Sequence, residues 1–126
     1  MADVKFFKCA HCGNVAAVLV DGGVTPVCCG EPMGLLRAGT TDGAHEKHMP
    51  AVEREGDELR VRVGSVEHPM LAEHYIQFIA VACNKRLQVA HLTPGEAPES
   101  VFHVPAGTAV TVYELCNLHG LWSAEA

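Results

Sequence analysis

The sequence predicts a mostly β protein in two parts, a small metal-stapled unit followed by a β-sandwich. Three observations predict it. Four of the six cysteines fall within the first 36 residues, in two close pairs. From Ala51 onward, short apolar–polar alternations of strand period recur. Turn signals rich in Gly, Pro and Asn divide those alternations at roughly the 8–12-residue spacing of a sandwich.

The first unit, residues 1–36, reads as strand (Val4 to Lys8), a turn at Cys9-Ala-His-Cys-Gly13, strand (Asn14 to Val20), a turn at Asp21-Gly22-Gly23, strand (Val24 to Val27), and then Cys28-Cys29-Gly30. A unit of under about 40 residues cannot bury enough surface to hold itself together and needs a staple. Cys9-x2-Cys12 and Cys28-Cys29, with fifteen residues between the pairs, present four soft ligands from two turns. That arrangement suits iron or zinc, and cysteine type alone does not choose between them. Because Cys28 and Cys29 are adjacent, both can face one centre only if the backbone between them is distorted. Four closed ligands leave no position for a substrate, so such a site stores structure or electrons. Disulfides are the competing reading. The start of the chain lacks the basic segment and long apolar stretch of a secretory signal, which favours a reducing cytoplasmic location and metal over disulfide.

The second unit, residues 37–126, opens with a Gly-, Pro- and polar-rich stretch (37–50) that reads as a linker running into a functional loop. Glu55-Gly56-Asp57 is a hairpin turn. Glu58 to Val63 alternates cleanly, with Leu59, Val61 and Val63 on one face and Glu58, Arg60 and Arg62 on the other. Further strands are expected at Tyr75–Ala82, Arg86–Thr93, Val101–Val104 and Thr108–Leu115. The last of these has no clean parity. There is no long helical pattern, internal repeat or low-complexity segment.

Composition excludes several function classes. Hydrophobic residues make up 48% of the chain, enough for a packed core. Nine basic residues against fifteen acidic ones give a net charge of −6, which disfavours a nucleic-acid partner. No apolar run approaches the ~20 residues of a membrane helix.

The eight histidines suggest a second site. Cys116-Asn-Leu-His119 puts two ligand types on one turn, His68 and His74 flank Pro69-Met70, and His48 lies just before Pro50. Loops at one end of a sandwich meet in space, so distant loops can build one pocket. A lone histidine is more often an incidental surface or core residue, and the other three gain weight only beside the Cys116/His119 pair. A blue-copper site also uses a sandwich, a C-terminal Cys and histidines, but no methionine follows His119 to serve as its axial ligand.

Taken together, these motifs resemble desulfoferrodoxin, a two-iron superoxide reductase family, over essentially the whole chain. Cys9-x2-Cys12-Gly with Cys28-Cys29-Gly-Glu-Pro-Met33 is similar to the desulforedoxin-like N-terminal domain. Glu46-Lys47-His48-x-Pro50 is similar to the family's signature loop, and His68-Pro-Met-x3-His74-Tyr-Ile with Cys116-Asn-Leu-His119-Gly-x-Trp122 completes the second site. The resemblance implies one iron on Cys9, Cys12, Cys28 and Cys29. It implies a second iron in an immunoglobulin-like sandwich, with His48, His68, His74 and His119 in a plane and the Cys116 thiolate beneath. It further implies reduction of superoxide to hydrogen peroxide, a rubredoxin-type electron donor, and a homodimer.

Four imidazoles and a thiolate leave one position of ferrous iron open to a small anion, and the thiolate opposite donates charge toward it. Lys47 would attract the anion and order water beside it, and the resemblance implies that Glu46 occupies the open position in the resting ferric state. A purely electron-transferring two-iron protein and a zinc-stapled binding module are the rival readings. His11, His45, His91 and His103 are not expected to be ligands. Cys83 reads as a small buried hydrophobe, and Met33, Met49 and Met70 read as packing.

Overall fold

The computed structural model describes residues 4–39 and 45–126, the side chains of His45 and Glu46 excepted. Two compact units divide at the Arg37–Ala38 junction. Both are β-structured, and among the described residues no helix is long and apolar enough to cross a membrane.

In the first unit, β1 (Phe6–Lys8) is the centre of a three-stranded antiparallel sheet, flanked by β2 (Val15–Ala17) and β5 (Gly34–Leu36). β3 (Val27–Cys28) and β4 (Glu31–Pro32) form a minimal hairpin carrying the second cysteine pair. The strands expected over Val4–Lys8, Asn14–Val20 and Val24–Val27 are thus shorter than their apolar runs, and β4 and β5 had no alternation to announce them. Phe7, Cys9 and Met33 make up the buried cluster, with Val18 and Cys28 packed on it. With Phe6, four buried side chains contribute on the order of 10 kcal/mol at most, too little to order this length of chain. The unit therefore depends on its cysteines.

The second unit begins with a correction to the expected linker. Gly39 already donates its N–H to the Leu121 carbonyl at 2.8 Å, α1 (His45–His48) is a single helical turn, and β6 starts at Pro50. Residues 40–44 of that stretch lie outside the described residues. Seven strands follow: β6 (Pro50–Glu55), β7 (Glu58–Val63), β8 (Ile76–Cys83), β9 (Arg86–His91), β10 (Glu99–His103), β11 (Val110–Cys116) and β12 (Gly120–Glu125). They pair antiparallel into two sheets, β10-β7-β6 and β12-β11-β8-β9.

The two sheets share one core. Leu59, Val61 and Val63 of β7 and Phe102 of β10 meet Ile76, Ile79 and Val81 of β8 and Val110 and Val112 of β11. The alternation of β7 is as expected, its three apolar residues fully buried and Arg60 and Arg62 exposed. Cys83 belongs to this core. The β8–β9 hairpin turns at Asn84-Lys85, where Asn84 takes φ +54°, a left-handed conformation that Asn tolerates better than most side chains.

The unclear parity of the last expected strand has two physical causes. β11 is central in its sheet and buried along almost its whole length. Its pairing with β8 also slips between Leu115 and Cys116, so Leu115 faces Phe78 while Cys116 faces Ile76. A bulge of this kind re-aims the side chain beside it, here the terminal cysteine. β12, not expected from the sequence, covers the edge of β11 in register from Thr111/Glu125 to Cys116/Gly120.

Ile79 has no exposed surface and lies on the central strand of the shared core. Replacing it with Ala should lower the sandwich's folding stability by about 2–5 kcal/mol, read as a shifted urea midpoint with an unchanged slope.

Candidate metal centres

The four cysteines of the first unit are free thiols whose sulfurs all lie within 4.8 Å of one another. Cys12 and Cys28 sulfurs are 3.6 Å apart, and those of Cys28 and Cys29 are 4.0 Å apart. A disulfide would bring two sulfurs to about 2.05 Å, whereas a tetrahedral metal with bonds of about 2.3 Å sets them about 3.8 Å apart. The spacing fits the metal. The distortion expected of the adjacent pair is found at Cys29, whose φ of +53° is left-handed for a non-glycine residue, followed by Gly30 at +78°. Such a conformation costs on the order of 1–3 kcal/mol and persists only where the surroundings impose it.

Backbone N–H groups surround these sulfurs. Those of Cys12 and His11 hold the Cys9 thiol down to about 6. Asn14 adds its own N–H toward Cys12 at 3.5 Å and its amide toward Cys28 at 3.8 Å. Hydrogen bonding with Cys12, then with Cys9 and Cys28, pushes Cys29 up to about 12. One thiolate forms readily and the next resists, which is the behaviour of four sulfurs arranged for a cation. His11 is not among them; its ring sits 3.0 Å from Glu31 at the surface.

In the second unit, five expected ligands come together from four stretches of chain. His48 ends α1, His68 lies in the β7–β8 loop, His74 precedes β8, Cys116 ends β11, and His119 lies in the turn to β12. His48 and His68 are each only 1% exposed. Donor atoms of His48, His68, His74 and Cys116 all lie within 4.8 Å of one another. His119 joins them through Nδ1, 3.1 Å from His48 Nε2 and 3.8 Å from Cys116 Sγ.

The four imidazoles form a square. Centroids of successive rings around the order His48, His68, His74, His119 are 4.7, 4.7, 5.0 and 4.8 Å apart, and the His48–His74 diagonal is 6.5 Å. These lengths make nearly right angles at His68 and His119. Neighbouring rings stand edge to face, at 73–85°. His48 Nε2 lies 3.1 Å from both His68 Nε2 and His119 Nδ1; metal–nitrogen bonds of about 2.1 Å at right angles would set such neighbours about 3.0 Å apart.

The protonation states suit ligation. Burial pushes His68 down to about 4 and lowers His74, so both rings are neutral near pH 7. His68 Nδ1 donates to the Pro69 carbonyl at 2.7 Å, which leaves Nε2 with its lone pair toward the centre. Among the described residues, the buried Nε2 of His74 has no hydrogen-bond partner, an expensive arrangement unless a cation uses its lone pair. Burial raises Cys116, while N–H groups of His119 and Leu118 oppose that rise; the His119 N–H reaches the sulfur at 3.4 Å. Iron suits this mixture of imidazole and thiolate.

Lys47 is exposed one residue before His48, and its positive charge contributes to the depression of His74. The Glu46 and His45 side chains lie outside the described residues. His91 and His103 are exposed on β9 and β10 and take no part. Met33 is buried in the first unit's cluster, and Met70 packs on the sandwich core and accepts the Ile76 N–H.

Sequence reasoning missed three residues that shape this pocket. Trp122 stacks on His48 at 5.0 Å and 21° while donating Nε1–H to the His119 carbonyl at 3.0 Å. Asn117 bonds to the segment around His74. Glu114 is fully buried, with neither carboxyl oxygen hydrogen-bonded among the described residues, and burial pushes it up to about 9. A lone acidic residue inside the apolar run Val110–Cys116 was the signal available for it.

Residues 40–125 match the family model described as desulfoferrodoxin, and residues 2–36 match that of the desulfoferrodoxin N-terminal domain. The chain belongs to the desulfoferrodoxin family. It is 48% identical over 122 residues to desulfoferrodoxin of Nitratidesulfovibrio vulgaris, covering 97% of this chain and 96% of that one. It is 32% identical over 108 residues to a superoxide reductase of Pyrococcus horikoshii, covering 71% of this chain and 92% of the relative. The crystal structure of the superoxide reductase from Treponema pallidum is similar at a TM-score of 0.80 and 38% identity, over 98% of this chain and 99% of that chain. The family resemblance read from the cysteine and histidine motifs therefore extends over both units, and with it come two candidate metal sites.

The sulfur of Cys116 is the one soft donor in the histidine pocket. In the iron-loaded protein, Cys116→Ser should abolish that pocket's visible thiolate charge-transfer band and leave the red ferric tetrathiolate colour of the first unit. Persistence of the band would assign it to another ligand.

Proposed function

We propose that this chain is a superoxide reductase: superoxide, one electron and two protons give hydrogen peroxide. The observation that carries the reading is the square of four imidazoles gathered with a buried cysteine sulfur, with an exposed lysine next in sequence to His48. His48, His68, His74, His119 and Cys116 would hold the ion, and Cys9, Cys12, Cys28 and Cys29 would hold the second one. Ferrous iron in a five-donor set of this kind supplies one electron and an open position for a small anion.

The chain's own residues do the rest. Lys47 concentrates an anionic substrate against the protein's overall negative charge of −6. Its ammonium also orders the water from which the product takes protons. Glu46, assigned from sequence alone, offers a hard oxygen donor for the open position when the site rests oxidised. The Cys116 sulfur, as a ligand, would raise electron density at the bound ion. Burial keeps the His68 and His74 imidazoles neutral and available.

The same reading includes a rubredoxin-type donor for the returning electron, a cytoplasmic location and a homodimeric assembly. The first unit, residues 1–36, is the desulforedoxin-like four-cysteine iron domain, and residues 37–126 carry the reaction.

Anaerobic mixing of the reduced protein with superoxide tests this. A reductase yields peroxide without dioxygen, whereas a dismutase yields both. An electron carrier with a closed site would yield neither at a comparable rate. Lys47→Ala should slow the bimolecular reaction by roughly tenfold at low ionic strength, with both metals retained and the difference shrinking as salt rises. Equal rates at low salt would remove Lys47 from the mechanism.

A further inference from the structure

The ring of His68 is oriented by its own hydrogen bond to the Pro69 carbonyl, and that of His48 by the face of Trp122. His74 is oriented differently, through its backbone. It sits in a tight turn closed by two bonds to Leu71, one from the Leu71 N–H to the His74 carbonyl (2.9 Å) and one from the His74 N–H to the Leu71 carbonyl (3.1 Å). The groups on either side of it all go to one residue. The Asn117 side-chain oxygen accepts the Tyr75 N–H at 2.9 Å, its amide donates to the Glu73 carbonyl at 3.1 Å, and its backbone N–H donates to the Tyr75 carbonyl at 3.1 Å. Five successive backbone groups, from the Glu73 carbonyl to the Tyr75 carbonyl, are thereby fixed.

Asn117 is separated from these residues by more than 40 positions, but it is the residue between Cys116 and the rest of the turn that carries His119. Only a side chain with a donor and an acceptor on one short planar group can bridge the carbonyl before a residue and the N–H after it. The bracket transmits the position of the Cys116–His119 turn to the backbone that carries His74. On the square of rings, His74 stands diagonally across from His48, so a displaced His74 would open one corner while the other three stayed in place.

We propose that Asn117 is a positioning residue that holds His74 in register with Cys116 and His119, acting on the metal only through that histidine. This rests on the assignment of the five residues as ligands of one ion. Outer residues that orient a ligand are worth 10–100-fold in metal affinity, and the donor–acceptor pair must come from one amide.

A double-mutant cycle on the full-length, iron-loaded protein reads this directly. Ferrous affinity of the histidine site is measured by competition with a ferrous-selective chelator in the native chain, Asn117→Ala, His74→Ala and the double variant. The four-cysteine iron serves as the internal reference. Asn117→Ala should weaken the histidine site by roughly tenfold to a hundredfold and shift its ferric charge-transfer band, yet add almost nothing once His74 is already Ala. Asn117→Asp, which keeps the acceptor for Tyr75 and loses the donor to Glu73, should fall between; it also serves if the alanine variant does not fold.

Equal losses from Asn117→Ala with and without His74 would overturn the proposal, since the residue would then act on the fold or on another ligand. An unchanged affinity and spectrum in Asn117→Ala would overturn it too. Neither measurement uses superoxide, so failure of the reductase reading would show separately, as chelator results intact in a protein that makes no peroxide.

Discussion

His48 Nε2 lies 3.1 Å from both His68 Nε2 and His119 Nδ1, a concentration of nitrogen donors that a single shared proton relieves only in part. Protonating the rings would put like charges side by side in a pocket where burial already pushes His68 down to about 4. Left neutral, the rings can share an N–H across one of these contacts but still aim lone pairs at one another across the other. A cation at the centre removes both difficulties, and the second unit is built to maintain that demand. The rest of the pocket follows from it: the tautomer of His68 set by Pro69, the unpartnered Nε2 of His74, and the amide bond onto the Cys116 sulfur. Its rigidity comes from the sheets beneath, since Cys116 is itself part of the shared core.

The first unit meets the same kind of demand with other means. Its ligands come from two nearby turns, the burial beneath them is slight, and the cost shows up as backbone strain at Cys29. Because four sulfurs separated by one short loop need no large fold to assemble them, a staple can stand in for a core. A pocket gathered from residues as far apart as His48 and His119 requires the whole sandwich to be in register first. That contrast suits a closed ion that holds structure or an electron and an open one that meets substrate.

What could be read from the sequence follows from these same features. β7 was legible because only one of its faces is buried, so Leu59, Val61 and Val63 stand out against Arg60 and Arg62. β11 was not, because a central strand is buried on both faces and a bulge displaces its last residue. β12 was hidden by the mixture of a ligand turn, Gly120 and a short polar end. The ligands were legible as motifs since each keeps its residue type on a loop, and the Cys–His turn carried most of that signal. Asn117 and Trp122 were visible only as letters within the motif. Their partners, Glu73 and Tyr75 for one and His48 for the other, are distant in sequence, and no local pattern reveals a long-range hydrogen bond.

Glu114 ties the pocket's charge together. It lies on β11 two residues before Cys116, on the same strand face as the core residues Val110 and Val112. Ionised, it would place a second negative charge near the sulfur, and its proximity already contributes to the rise of the Cys116 thiol. Burial instead pushes the carboxyl up to about 9, so near pH 7 it is neutral, and Cys116 is the group that a bound cation would draw into its anionic form. On the other side, Lys47 contributes a positive charge at the surface. An arriving anion would meet the exposed Lys47 charge, and the buried Cys116 sulfur would raise the reducing power of a bound ion.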